Sequence, residues 1–284
     1  MNYSKLSYEE QDNELNEALS WLSQLGINCD STRLGHYART SKGIVNYRQS
    51  DPEFLNALYE INEIIKIHKN LKDFPSSLEI LKKYKNIRKG PFQALDESSN
   101  SNDGRNLTFE LFLISCFVKA GFEMNLNSLS DICFLFRDHE IFIECKRPQT
   151  FDSVEENIEN ACDQLSKRCL SKNSLGILAL SIGKCFNQGR KLLNASDNAK
   201  LEQSLFSHLE RFVKEHRTSS IIQKSSSQII GLLGFLGTSG MVSSDNDTPT
   251  SLMGIAIGPT IHANSHSKHL LVSIVTELEK VIKA

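Results

Sequence analysis

The sequence predicts an α/β protein: a mixed sheet flanked by helices, preceded by an all-helical N-terminal domain. Three observations carry this. Residues 1–90 repeat apolar side chains at helical spacing, with no strand-like alternation. From Glu97 to Gly104 the chain reads ESSNSNDG, a polar stretch rich in turn formers. Beyond it, short strand-like runs alternate with helical segments, the pattern of a sheet with helices packed on it. The expected division is therefore a helical domain over 1–97 and an α/β domain over 98–284.

Leu15, Leu19, Leu22 and Leu25 mark the first helical stripe. Phe54, Leu58, Ile61, Ile65 and His68 mark a second, in a segment beginning at Asp51. Pro75-Ser76-Ser77 opens a third helix, Leu78 to Ile87, stopped by Gly90-Pro91. After the polar stretch, Asn106–Gly121 is a helix with Gly121 as its stop. Strand-like runs follow at 131–137 and 140–146. Then comes a helix opened by the capping box Ser153-x-x-Glu156 and running to about Lys172. Leu175–Ile182 is continuously apolar, as in a strand buried on both faces. A helix over 199–216, strands over 228–236 and 251–257, and a closing helix over 269–283 complete the order. Gly231, Gly234, Gly237 and Gly240 recur every third residue and read as a strand running into a flexible turn.

Composition excludes several classes. With 39% hydrophobic and 23% charged residues, the chain is neither disordered nor fibrous. A net charge of −2 makes any nucleic-acid surface a local patch. The seven cysteines are scattered and never form C-x-x-C, which predicts buried thiols in a reducing, cytoplasmic setting. The acidic start is unlike a signal peptide, and the apolar runs are too short to span a bilayer.

The chemistry concentrates between Asp131 and Lys146, DICFLFRDHEIFIECK. With Asp138-His139 as a two-residue loop, Cys133 opposes Glu144 and Asp131 opposes Lys146. Ile132, Phe134, Phe136, Ile141, Ile143 and Cys145 then share an apolar face. Asp131, Glu144 and Lys146 gather at one end of the other face. Close carboxylates repel unless a cation lies between them, and hard oxygen ligands favour Mg²⁺ or Mn²⁺. A neighbouring lysine can assist an attacking water or offset charge on a phosphate, which suits metal-assisted phosphodiester hydrolysis. Taken alone, the hairpin equally accommodates an edge salt bridge.

Two helices add to it. Thr108, Ser115 and Lys119 form the polar side of the helix after the linker, whereas Glu110 falls in line with Leu113, Ile114 and Phe117. A carboxylate on an apolar stripe needs a partner or a metal. After the hairpin, Gln164 flanks the stripe Val154, Ile158, Ala161, Leu165 and Cys169, within reach of the strand ends.

Glu110, Asp131, Glu144-Cys145-Lys146 and Gln164-Leu165 together resemble the core of the PD-(D/E)XK nuclease superfamily, the restriction-endonuclease-like fold. The resemblance covers about residues 104–185, and Ser130 stands where the motif's name has Pro. It implies that Asp131 and Glu144 bind Mg²⁺ or Mn²⁺, that Lys146 assists the water, and that Glu110 completes the metal site. Gln164 would support the site. The implied activity is a metal-dependent DNA endonuclease, of use in phage defence or DNA processing. An RNA-directed nuclease, or a silent module that binds DNA or a protein, remains open.

Arg147 and Arg168 flank the motif and are expected phosphate contacts. Lys66, Lys69, Lys72, Lys82, Lys83, Lys85, Arg88 and Lys89 face only Asp73 and Glu79 in their segment, with Tyr84 in the densest part. That is either a backbone-binding patch or a solvated helix face. His262, His266 and His269 lack a Cys or acidic partner, so zinc is not expected there. With such a nuclease activity the helical domain over 1–97 would serve DNA, partner or dimer contacts, and a double-strand break would call for a homodimer. With no Walker motif in the sequence, ATP-driven movement would call for an ATPase or helicase partner.

Overall fold

The computed structural model describes residues 8–41, 52–74, 77–98, 100–126, 128, 130–187, 193–243 and 249–282. Four helices come first: α1 Tyr8–Gln24, α2 Arg33–Ser41, α3 Pro52–Leu71 and α4 Leu78–Asn86. The Ser77 hydroxyl caps α4 by accepting from the Ile80 N–H, satisfying one of its otherwise orphaned donors. The expected opening at Pro75-Ser76 lies outside the described residues.

The rest of the chain is a mixed sheet wrapped by helices. In order it comprises α5 (Asp103–Lys119), β1 (Glu123–Met124), β2 (Ile132–Phe136), β3 (His139–Lys146), α6 (Val154–Arg168) and β4 (Ser174–Ser181). There follow α7 (Gly183–Asn187), β5 (Leu193–Ala195), α8 (Asn198–His216), α9 (Ser220–Lys224), β6 (Ile229–Val242), β7 (Pro249–Pro259) and α10 (Ser265–Ile282). The strand order is β1-β2-β3-β4-β6-β5, with β7 on the other edge of β6. β1, β2 and β3 pair antiparallel, β3, β4 and β6 run parallel, and β7 returns antiparallel along β6. All eight residues of β4 are buried, as its unbroken apolar run predicts.

Several expectations need correction. The hairpin loop is Arg137-Asp138, because Phe136 pairs with His139 and Cys133 with Phe142. Arg137 takes the left-handed conformation, φ 54, that such a tight turn requires. The register is thus displaced by two residues, and an even displacement leaves every side chain on its expected face. The capping box is made by Thr150 and Ser153 and caps a short 3-10 turn, Phe151–Ser153, that leads into α6, while the Ser153 side chain makes no cap bond to α6 itself. The glycine repeat lies inside the continuous strand β6, not in a turn.

Among the described residues, the helices before residue 97 share an apolar core with the sheet. One apolar cluster runs from Leu15, Leu22 and Ile61 through Phe112 and Phe117 to Ile132, Ile143 and Leu233 of the sheet. α5 packs against α3, α4 and β3, while α3 also lies directly on β6 and β7. For that reason Thr108 and Ser115, expected on a polar side, are buried. The second face of the sheet packs α6 and α8 through Val154, Ile158, Leu165, Leu205 and Leu209. All seven cysteines are buried and free. Among the described residues no helix is long and apolar enough to cross a membrane.

Candidate active site

The β2–β3 hairpin ends where β2 gives out at Ile132, and here the motif residues meet. Glu144 and Lys146 alternate onto the α6 side of the sheet, while Cys145 packs on the α5 side. Asp131 does not oppose Lys146 as expected. Its Oδ2 accepts the Cys145 N–H at 2.8 Å, which ties the chain entering β2 to β3 and holds the carboxylate at the Glu144–Lys146 stretch.

Glu144 is fully buried, and neither of its carboxylate oxygens has a hydrogen-bond partner. The Arg168 guanidinium, at the end of α6, touches it as an ion pair, and Lys146 Nζ lies 3.9 Å away. Lys146 donates to Gln164 Oε1 at 2.5 Å, so Gln164 does reach back over the strand end. From the opposite face, α5 brings Glu110. Burial pushes its carboxyl above the usual range against the pull of the Lys83 ammonium, while Asp131 raises it and Lys146 lowers it. Glu110, Asp131 and Lys146 therefore share one electrostatic neighbourhood.

Lys83 is the residue that the motif did not single out. Expected on a basic surface patch, it turns inward from α4, ion-pairs with Glu110, and approaches the Asp131 carbonyl at 3.4 Å. Helical spacing carries the signal: Lys83 lies three residues after Ile80 and four before Ile87, both buried. The rest of the patch disperses. Tyr84 is core, edge-on to Trp21 at 4.9 Å. Lys69 pairs with Glu14, and Lys66 donates to the Ile282 carbonyl at 3.2 Å. Arg88 donates to the Asn28 and Lys85 carbonyls, while Lys82, Lys85 and Lys89 are exposed.

Arg147 is not placed to contact phosphate. One residue beyond Lys146 it alternates to the other side, where it is buried and pairs with Glu97 at 2.6 Å. Glu97, expected in a linker, also takes Lys184 at 3.3 Å and is itself buried. A second buried carboxylate, Glu60 of α3, accepts from Arg105 Nε at 2.7 Å, Arg33 Nη1 at 2.6 Å and the Tyr37 hydroxyl at 2.8 Å. The same two arginines donate to the carbonyls of Ile87, Lys89, Pro91 and Phe92. They thereby fasten the chain leaving α4, and with it the position of Lys83.

The histidines do not converge. His262 Nε2 lies 2.8 Å from the Ile222 carbonyl, His269 Nδ1 meets Ser265, and His266 Nε2 lies 3.1 Å from His139 Nε2. Among the described residues no three His, Cys, Asp or Glu side chains are grouped to hold a metal as they stand. The donor set is all carboxylate, the chemistry a hard cation favours: Glu144 offers buried oxygens without hydrogen bonds, and Glu110 and Asp131 neighbour each other. What separates the arrangement from a metal site is that chain cations, Arg168 and Lys83, sit against two of the three carboxylates. No family model, curated protein or solved structure matches the chain.

Proposed function

We propose that the chain is a metal-dependent nuclease with a restriction-endonuclease-like core, acting on DNA as an endonuclease. The supporting observation is the meeting, at one end of a buried hairpin, of Asp131, Glu144 and Lys146 with Glu110 from α5 and Gln164 from α6. The order α5, β1, β2, β3, α6, β4, with β3 and β4 parallel, agrees with such a core. Asp131, Glu144 and Glu110 would hold Mg²⁺ or Mn²⁺, which supplies Lewis-acid stabilisation of the phosphate. Lys146, held by Gln164, directs its ammonium at the attacking water and at charge growing on the phosphate. Arg168, which pairs with Glu144 at the end of α6, would be the phosphate contact once the cation takes that carboxylate. A double-strand break would require two such sites, hence a homodimer.

A second reading, a silent binding module, draws on one observation: Arg168 already neutralises Glu144. The deciding experiment is cleavage of supercoiled plasmid, linear duplex, single-stranded DNA and RNA with Mg²⁺ or Mn²⁺, against an EDTA control. Wild type should cut DNA, and Lys146→Ala should not. Cutting of RNA alone would move the substrate class. Cleavage that survives both EDTA and the mutation would overturn the site assignment.

A further inference from the structure

Lys83 comes from a helix outside the stretch that carries the motif, yet it occupies the motif's own carboxylate. Its ammonium is against Glu110 Oε2 and 3.4 Å from the Asp131 carbonyl. The pair is largely withdrawn from water, with side-chain exposures of 21% for Lys83 and 13% for Glu110. Nor is the lysine a loose surface group. Ser77 caps the start of α4, Ile80 and Tyr84 anchor its buried face, and Arg33 grips the Ile87 and Lys89 carbonyls behind it.

A carboxylate oxygen engaged by an ammonium cannot at the same time ligate a cation, and two positive charges a few ångströms apart repel strongly in a partly dry site. We infer that Lys83 is a resident counter-ion that a divalent cation must displace from Glu110, so that metal loading stays weak until a nucleic-acid phosphate takes over the ammonium. The inference rests on the nuclease reading and adds to it a coupling between the two ligands. Linkage makes that coupling reciprocal: whatever factor the phosphate adds to metal affinity, the metal adds to phosphate affinity. A lysine suits the transfer, being a compact charge with three donors on a flexible stem.

The test is a calorimetric titration of Mn²⁺ into the full chain without nucleic acid, at mildly alkaline pH. It compares wild type, Lys83→Met, Asp131→Ala and Lys280→Met, the last removing an equal charge from an exposed pair on α10. Lys83→Met should bind Mn²⁺ about tenfold tighter, the effect of losing one close positive neighbour. It should also nick plasmid more slowly at saturating Mn²⁺. Lys280→Met should match wild type and Asp131→Ala should lose binding. A lysine that merely props α4 would not tighten metal binding when removed. If Lys83→Met does not fold, Lys83→Gln, which keeps a neutral donor for Glu110, is expected to shift affinity in the same direction. Wild-type binding with equal or weaker binding by the Lys83 variants overturns the inference and leaves the nuclease reading standing. The absence of any Mn²⁺ isotherm in wild type and both Lys83 variants would remove both.

Discussion

Replacing Glu60 with Gln removes one negative charge and almost no volume, so no cavity confuses the result. In the wild type, burial alone would push the Glu60 carboxyl up, but the Arg105 and Arg33 guanidiniums outweigh it and hold it below the ordinary range. Their side chains are 3% and 0% exposed. After substitution two buried guanidiniums face an amide whose NH₂ can only donate, where Oε1 and Oε2 had accepted from Arg105, Arg33 and Tyr37. Breaking a buried ion pair from one side costs about 3–5 kcal/mol. Unfolding entropy scales with length, so for 284 residues a loss of ~4 kcal/mol lowers Tm by roughly 7 °C. Urea denaturation with linear extrapolation measures the loss directly. The control is Glu277→Gln, whose partner Lys280 is exposed, and which should cost less than about 0.5 kcal/mol. A Glu60→Gln cost below about 1 kcal/mol would refute the reasoning, because it would mean the guanidiniums are hydrated or find other acceptors.

Three further outcomes are expected. Burial, with Glu60 beside it, pushes the Glu63 carboxyl up to about 8 from 4.5, so the folded state binds its proton more tightly than the unfolded chain. Stability therefore falls as pH rises between those values, and Glu63→Gln should flatten the decline in urea melts taken across that window. An unchanged slope would mean that Glu63 is ionised and solvated in the fold. In Gly104→Ala the new Cβ would lie 2.1 Å from the Lys89 carbonyl oxygen, so the first turn of α5 must move off the chain that follows α4. A cost above about 2 kcal/mol is expected from such overpacking, read as a drop in urea midpoint. Arg137→Gly relieves a left-handed φ of 54 and should stabilise by about 1 kcal/mol, less whatever the contacts of Arg137 with Ser273 and Phe136 contribute. Destabilisation there would show that those contacts outweigh the strain.

Period-two alternation made the hairpin's faces legible even though its loop was misplaced. Arg137-Asp138 has no glycine or asparagine to announce a left-handed turn, so Asp138-His139 looked equally good. The same alternation held the correct answer for Arg147, since its parity matches Cys145 and not Lys146. The glycine repeat also had a readable signal. A spacing of three in a strand changes face at each step, and a Cβ on Gly231 would lie 2.8 Å from Leu271 of α10, while one on Gly234 would lie 2.9 Å from Val213 of α8. These glycines allow helices to approach β6 from both sides. Short elements such as β1 and β5 span too few residues for a period to appear.

The counter-ions are a different case. Glu110, Asp131, Glu144 and Lys146 lie within one short stretch, so a local pattern could find them. Lys83 meets Glu110 across 27 residues, Arg105 meets Glu60 across 45, and Lys184 meets the Glu97 carbonyl across 87. No periodicity links such pairs, and a basic run like the one before Lys89 is ordinarily solvated. What the sequence did offer was a helix too apolar to be a surface helix: α3 carries Ile61, Ile64, Ile65 and Ile67 around Glu60 and Glu63. Carboxylates in such a helix must find cations from elsewhere in the chain. The cations that Glu60 finds, Arg33 and Arg105, are the same ones that fasten the end of α4 and so hold Lys83 at the site. The buried charges of the helical region and the chemistry of the hairpin thus belong to one construction, built on an apolar cluster that described residues of the N-terminal helices share with the sheet.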